Sequence, residues 1–355
     1  MGHHVDGGDG APGPATPQQL AKRVGPPVLG SVVFLALFIW IVGVSMHTPK
    51  PHDAPFGLVG DRAAVQPLEQ QLEGAGSAFD VKVYPTAEAA REAVIDQDVL
   101  GAFVPGTDKA ELMVATGIGQ TPKMFYTGFF NEMAHQQGFE LVTNDVAPVP
   151  QGDLLGLVAF FVFASLTVAS VLCQVLFSFL ARGVPFRVWF GAAVAFGLLA
   201  GTTVCLFADP VLGALDGHFL QITTLTCLYG FVIVASMAAF QALLGLPGIP
   251  LGALTLLPFG IGTSGGTVHP DFLPNFYRQI SPYMASSAEV GGLRGIAYMD
   301  GSGVGRSFLV LGIWAVVALL LVGLGGMLKA RRAGGAASAD PSGRKNGRVA
   351  APSAV

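Results

Sequence analysis

The feature that most constrains this chain is a series of long apolar stretches without charged side chains, the longest of which covers residues 219–269. A helix of about 20 apolar residues spans the roughly 30 Å hydrocarbon layer of a membrane, because a helix satisfies its own backbone polar groups there. The composition agrees, with 52% hydrophobic residues, 12% charged residues and a mean hydropathy of +0.58. Five stretches have the required length, namely residues 28–46, 154–181, 188–208, 219–246 and 307–328.

A sixth apolar stretch, residues 249–262, is shorter and contains Pro250 and Pro258, so it is either a tight span or a half-inserted element. Basic residues favour a span, because only six crossings place all of their clusters on one side, which the positive-inside rule makes cytoplasmic. We therefore predict a polytopic α-helical membrane protein with six transmembrane helices and both termini in the cytoplasm. The clusters contain Lys22, Arg23, Arg182, Arg187, Lys329, Arg331 and Arg332.

The long polar segment 47–152 carries fourteen acidic and six basic residues, and this topology places it outside the cell. Residues 79–84 alternate between apolar and polar side chains, which is typical of a half-buried strand. Thr86 then suits the N-cap of a helix, and residues 99–104 suit a buried strand. The segment predicts an extracytoplasmic α/β domain inserted between helices 1 and 2. Disulfides are not expected to hold it, because the cysteines all lie in apolar spans: Cys173, Cys205 and Cys227.

The remaining chain divides around these elements. Residues 1–27 and 331–355 are rich in small residues and are predicted to be disordered cytoplasmic tails. We expect residues 28–46 to form transmembrane helix 1 and residues 153–330 to form a five-helix membrane domain with an extracytoplasmic loop at 263–306.

The sequence lacks the common catalytic signatures: a phosphate-binding loop, an HExxH zinc helix and a CxxC pair. We predict no catalytic residue, no metal site and no cofactor in this chain. One string, residues 262–266, fits the GxSxG of a hydrolase nucleophile elbow around Ser264, with His269 and Asp271 nearby. Because this string ends an apolar span, the alternative is a glycine-rich exit from the membrane.

Polar side chains within apolar spans need partners away from lipid, so they are candidates for a substrate path. The alternative is hydrogen bonding between helices. No Asp, Glu, Lys or Arg is expected deep within a span, which argues against a proton relay of carboxylates. The candidates for the path are Gln174, Thr202, Gln221 and Gln241.

The region after the sixth span carries a Gly-Gly pair, a Leu-Pro-x-Phe, an Ile-x-Pro and a Leu-Arg. In this pattern and in its layout, the chain resembles the ABC-2 class of exporter permeases, specifically the branch with a large extracytoplasmic domain that includes the phage infection protein group. The extracytoplasmic domain here is much shorter than in the larger members. The matching residues are Gly265, Gly266, Leu273, Pro274, Phe276, Ile280, Pro282, Leu293 and Arg294.

The resemblance implies a permease subunit in the plasma membrane of a bacterium, which exports a hydrophobic or amphipathic compound or an envelope component. A separate subunit would hydrolyse ATP, so this chain would not itself be an enzyme, and it would work as a homodimer or paired with another permease. No nucleic-acid partner is expected. The resemblance assigns two site elements: a cytoplasmic coupling loop with Arg182, Pro185 and Arg187, and an outer gate loop with Gly265, Gly266, Pro274, Phe276, Pro282 and Arg294.

Other interpretations remain open. The charged connection between the second and third spans can be ordinary positive-inside anchoring, and the outer loop can rest on lipid headgroups. The whole chain can also be a non-transporting membrane scaffold or secretion accessory that presents its outside domain to partners.

Overall fold

The chain folds into a bundle of apolar helices and a sheet domain that packs on one end of the bundle. The computed structural model describes residues 16–74, 78–181, 183–211, 213–215 and 218–338. Helix α1 (Pro17–Met46) comes first and leads into the sheet domain. Large apolar side chains of α1, such as Ile39 and Trp40, are exposed. A helix with such a surface needs lipid or another protein around it.

The sheet domain has five strands in the order β2-β1-β3-β4-β5, and all neighbouring strands are parallel except β3 and β4. The predicted strand at Phe79–Tyr84 and the predicted cap at Thr86, which accepts the N–H of Ala89, are confirmed. Strand β5 was not predicted. The elements are β1 (Ala54–Val59), α2 (Arg62–Glu73), β2 (Phe79–Tyr84), α3 (Ala87–Ile95), β3 (Gly101–Val104), β4 (Lys109–Val114), α4 (Gln120–Gln137) and β5 (Glu140–Asp145).

Aromatic rings fill the space between the sheet and α4. The ring of Phe130 stacks on Phe56 and on Phe103, with centroid distances of 5.2 and 4.5 Å. Phe272, from the region after the short apolar helix, reaches the edge of this cluster and lies 5.5 Å from Phe125. The core of the sheet domain therefore continues into the bundle.

An ion pair closes the end of β5. Asp145 accepts hydrogen bonds from the backbone N–H and the hydroxyl of Thr116, and its carboxylate lies 3.1 Å from the amine of Lys123. Burial raises the pKa of Asp145, but the hydrogen bonds and the charge of Lys123 outweigh burial, so the pKa is lower than usual. The folded state therefore favours the ionised carboxylate.

The bundle contains five helices that are long and apolar enough to cross a membrane, by length and composition, in the part of the chain that the structure describes. They are α1, α5, α6, α7 and α12. Helix α7 lies at the centre and packs against α5, α6 and α12. The bounds of the four that follow the sheet domain are α5 (Val158–Leu180), α6 (Phe186–Leu206), α7 (Phe219–Leu244) and α12 (Val304–Ser338).

The sixth apolar stretch is a short broken helix, Gly248–Thr263. It contains α8 (Gly248–Leu254), a π-helical turn (Thr255–Phe259) and α9 (Gly260–Thr263). Pro258 lies in the π-helical turn, as expected where a residue without a backbone N–H interrupts the regular ladder. At 1.5 Å per residue the broken helix covers about 24 Å.

The bundle has two distinct ends. At the sheet end, the Tyr277 hydroxyl donates to the carbonyl of Ile41 near the end of α1, and α5 and α12 both begin near the sheet domain. At the far end, the α5–α6 connection, the end of α7 and Lys329 of α12 border one pocket. The basic residues Lys22, Arg187 and Lys329 therefore all lie toward the far end.

Two predicted boundaries differ from the structure. Helix α1 begins at Pro17, so residues 17–27 are helical although they were predicted to be a disordered tail, and α12 continues to Ser338 past the predicted end at 330. Polar residues with good helix propensity, such as Gln18 and Lys22, extend α1 beyond the apolar window that hydropathy detects. The rest of the two predicted tails, residues 1–15 and 339–355, lies outside the described residues.

The predicted loop at 263–306 is instead largely helical. It contains α10 (Asn275–Ile280), α11 (Ala285–Tyr298) and two 3-10 turns (Pro270–Phe272 and Ser281–Tyr283). Helix α11 packs against α5, α7 and α12, and most of its side chains are buried. The prediction of a loop was wrong because this segment is less apolar than a span, yet its small residues allow it to pack closely between other helices.

Candidate functional site

One arginine joins the sheet domain to the bundle. The buried guanidinium of Arg294 on α11 donates to the carbonyls of Ile118, Gly156, Gly265 and Gly266, with distances of 3.0, 3.2, 2.8 and 2.7 Å. These carbonyls belong to the sheet domain, to the approach to α5 and to the turn after α9. Burial lowers the pKa of Arg294 to about 10, so the side chain remains charged at neutral pH. The arginine therefore fixes three separate segments around one cation.

Glycines create the turn that meets Arg294. Gly265 has a φ of +73°, which is the left-handed region that favours glycine. A Cβ on Gly266 would lie only 2.5 Å from the ring of Phe160 on α5. A larger residue at either position would push the turn away from the guanidinium.

A second contact lies beside the arginine. The hydroxyl of Tyr298 at the end of α11 donates to Asp153, at 2.8 Å. The other carboxylate oxygen of Asp153 accepts the N–H groups of Leu157 and Val158, and so caps the start of α5. Helices α5 and α11 are thus tied together at the sheet end.

A cavity of about 370 Å³ opens next to Arg294, and we call it the junction cleft. Its walls come from the sheet domain, the turn after α9, α11 and the first turns of α12. Two arginines and one acid carry the formal charges of the lining: Arg294, Arg306 and Asp96. The apolar part of the lining includes Ile118, Val290 and Val310. The cleft is therefore amphipathic.

The hydrolase-like residues also border the junction cleft. Ser264 donates to the carbonyl of Ile261 at 3.0 Å and accepts the N–H of Gly266, so its hydroxyl serves the local turn. His269 lies 3.6 Å from Asp271. Burial and the charge of Arg294 lower the pKa of His269 to about 3, so its ring is neutral at physiological pH. Within the described chain, no hydrogen bond links Ser264 to His269.

Sequence reasoning missed Glu289, which lies fully buried on α11. Neither of its carboxylate oxygens has a hydrogen-bond partner among the described residues. The carboxyl lies close enough to Tyr229 on α7 and Cys205 on α6 to act on them electrostatically. An isolated ionised carboxylate is very unfavourable in such a site, so the protonated form is favoured. Glu289 was missed because it belongs to the segment predicted as a loop, outside the apolar spans that were searched for charged residues.

A second cavity, of about 400 Å³, lies at the far end, and we call it the glutamine pocket. The side-chain amide of Gln174 donates to Gln241 at 3.1 Å, and the indole N–H of Trp189 donates to Gln174 at 3.1 Å. Ser178 also donates to Gln241. Helix α12 lines both cavities, with Ser307 in the cleft and Gly326 in the pocket, among other residues.

The structure brings together two of the four predicted path residues. Gln174 and Gln241 meet in the glutamine pocket. Thr202 instead faces Cys227 across the α6–α7 contact, and Gln221 is exposed near the start of α7. The predicted set is therefore not one continuous path, and its two central members also satisfy each other as interhelical hydrogen bonds.

The predicted coupling loop lies at the far end beside the glutamine pocket. Pro185 occupies the N-cap position of α6, and its carbonyl accepts the N–H groups of Val188 and Trp189. Arg187 is exposed on the first turn of α6. Arg182 lies outside the described residues.

The predicted gate residues separate into two groups. Gly265, Gly266 and Arg294 meet at the hydrogen bonds described above, and Pro282 lines the junction cleft with Gly265 and Arg294. Pro274 and Phe276 instead lie at the start of α10, where the Phe276 ring packs on Phe259 of the π-helical turn at 5.8 Å. Phe276 itself remains 60% exposed.

Comparison of the chain with protein-family models, with characterised proteins and with solved structures finds no match. Among the described residues, no group of three or more His, Cys, Asp or Glu side chains could hold a metal ion. The geometry of the two cavities and of the Arg294 contact is therefore the basis for the function proposed next.

Proposed function

We propose that this chain is the permease subunit of an ABC-type exporter. It moves a hydrophobic or amphipathic compound, or an envelope component, outward across the plasma membrane of a bacterium. A separate ATPase subunit supplies the energy, so the chain carries no catalytic residue of its own. A second permease copy completes the complex.

The observation that carries this proposal is the element that follows α7. The short broken helix Gly248–Thr263 leads into a Gly-Gly turn, and the buried helix α11 then ties that turn to the sheet domain through Arg294. Irregular backbone at membrane depth is tolerated where it is buried in protein or lines a cavity. The turn at Gly265 meets both conditions, since it is buried and borders the junction cleft. An element of this kind suits a gate better than a passive anchor.

The proposed topology places the far end in the cytoplasm and the sheet domain outside. Lys329 borders the glutamine pocket, Arg187 lies in the first turn of α6 beside it, and Lys22 lies at the end of α1 away from the sheet domain, which agrees with the positive-inside rule. The broken helix then counts as a sixth crossing, because about 24 Å of helix brings the chain from the end of α7 back toward the sheet end. Both termini are cytoplasmic in this arrangement.

The two cavities supply a path. The glutamine pocket takes a compound from the cytoplasmic side, and the junction cleft releases it outside. Both have amphipathic linings and volumes of about 400 and 370 Å³, in the range of small-molecule sites. The exposed Arg187 beside the glutamine pocket is well placed for contact with an ATPase.

Labelling of single cysteines tests the topology. After replacement of the native cysteines, Gly128→Cys on α4 should react with a membrane-impermeant maleimide in intact cells. Val184→Cys in the α5–α6 connection should react only after the membrane is opened. Both positions are exposed, so access to the reagent decides the result. Labelling of Val184→Cys from outside would contradict the topology.

Co-purification tests the energy source. A tagged chain isolated in mild detergent should bring with it an ATPase subunit in fixed stoichiometry. Arg187→Glu should abolish this association, whereas Arg62→Glu should not, because Arg62 is an exposed arginine in the first turn of α2. Isolation of an envelope or secretion partner without an ATPase would instead favour a membrane scaffold.

A further inference from the structure

The side chains that line the junction cleft carry a net positive charge. Arg306 is exposed at the start of α12 and makes no hydrogen bond or ion pair with any described residue. Arg294 donates hydrogen bonds only to neutral carbonyls, and its buried Nε has no partner in that part of the chain. Asp153, which does not line the cleft, acts on Arg294 electrostatically, so Arg306 is the cation of the lining that lacks a partner among the described residues. Asp96 is the one acid among the lining residues, and His269 is neutral at physiological pH. The lining therefore has a formal charge of +1.

The junction cleft also has a hydroxyl that is unpaired among the described residues and an apolar wall beside this positive charge. The hydroxyl of Ser307, a buried lining residue one position after Arg306, makes no hydrogen bond with described residues. Val290 and Val310 supply apolar surface to the same cavity. A free cation and a free hydroxyl suit an anion, because hydrogen bonds to charged groups are the strong ones, and the apolar wall suits a hydrocarbon chain.

We propose that the junction cleft binds an amphipathic compound through its acidic head, a phosphate or carboxylate group, with Arg306 as the counterion. The apolar part of the compound lies against Val290 and Val310. This inference rests on the proposed function in one respect: the bound compound is taken to be the compound that the permease exports. The binding itself needs neither an ATPase nor transport.

Binding to the purified full-length chain in a neutral detergent tests the proposal. The probes are dioctanoyl phosphatidic acid, dioctanoyl phosphatidylcholine and inorganic phosphate, and calorimetry or native mass spectrometry measures the affinity. Phosphatidic acid should bind at one site and at least tenfold more tightly than phosphatidylcholine, because the choline group cancels the negative charge. Equal binding of the two lipids would overturn the proposal. Equal binding of inorganic phosphate would leave an anion site but would overturn the amphipathic ligand.

Two variants locate the site. Arg306→Gln should weaken phosphatidic acid binding about tenfold or more, since it removes one charged contact. Arg62→Gln is the matched control and should leave the affinity unchanged. Gly291→Leu should abolish binding, because Gly291 lines the cleft and a Cβ there meets no atom within 4 Å, so the new side chain fills the cavity without a clash at its base. Unchanged affinity in both Arg306→Gln and Gly291→Leu would place the lipid elsewhere and refute the site.

The outcomes separate this inference from the permease proposal. If the chain binds acidic lipid in the cleft but never associates with an ATPase, the binding site is supported and the transport function is refuted. If the chain associates with an ATPase but shows no preference for acidic lipid, the transport function is supported and the binding site is refuted.

Discussion

Replacing Arg294 with alanine should weaken the junction between the sheet domain and the bundle. The change leaves four carbonyl oxygens, from Ile118, Gly156, Gly265 and Gly266, without their donor. A buried acceptor that loses its partner costs about 1–3 kcal/mol. Water can enter from the junction cleft and reduce this cost, so we use the lower value and expect a loss of about 4 kcal/mol.

The assay is thermal unfolding of the purified chain in detergent, followed by intrinsic fluorescence. The unfolding entropy of about 2.1 cal/mol/K per residue gives a 355-residue chain a shift of roughly 1.3 °C per kcal/mol, so the Arg294→Ala variant should melt about 5 °C below the parent protein. Arg294→Lys should fall between the two, because a lysine keeps the charge but lacks the planar fork that reaches several acceptors at once. Arg306→Ala is the matched control within the same cleft, and it should change the melting temperature little because Arg306 is exposed and unpaired among the described residues. A melting temperature for Arg294→Ala within 2 °C of the Arg306→Ala value would refute this reasoning.

Three further predictions concern other sites. Glu289→Gln should stabilise the chain relative to the parent protein, and this stabilisation should grow above about pH 4.3 by up to about 1.4 kcal/mol per pH unit. The reason is that the unfolded parent chain ionises above that pH while the buried carboxyl stays protonated. A pH-independent difference in melting temperature would contradict this. Gly266→Val should impair export at near-normal protein level, because its Cβ overlaps a ring, whereas Ser264→Ala should have little effect; a hydrolase would show the reverse order in an activity assay. The folded chain lowers the pKa of Asp145, so the stability that its ionised form contributes is complete above the unfolded-state pKa of about 3.9 and is lost as the pH falls through the folded-state pKa. Asp145→Asn should therefore flatten the acid-unfolding profile measured by circular dichroism. An unchanged profile would exclude the ion pair as the cause of acid unfolding.

Local patterns in the sequence predicted most of the long helices and one strand, but they did not predict the contacts of the candidate site. Hydropathy located five long helices, and alternation located the strand at Phe79–Tyr84, because each signal depends on neighbours in sequence. The short broken helix was also placed correctly by its apolar residues and prolines. By contrast, β5 is mostly exposed at the edge of the sheet, so its residues show no strong apolar period.

The contacts around Arg294 could not be read from the sequence. Its acceptors are backbone carbonyls, which every residue possesses, so no pattern of side chains in the sequence predicts these contacts. Ile118 lies 176 residues away along the chain. Glu289 was missed for a related reason, since a helix that is buried by packing between other helices needs no long apolar run. The absence of proline between Met284 and Met299 was an available sign of a helix there.

Helix α12 gives the two ends of the bundle a common wall. Ser307 faces the junction cleft and Gly326 faces the glutamine pocket, about 28 Å apart at 1.5 Å per residue. An uninterrupted helix tilts as a rod, so a displacement that narrows one cavity also shifts the wall of the other. Reciprocal opening of the two cavities would then require only a pivot along α12, which packs on α7. The motion could reach across the whole bundle without any change in the helix itself.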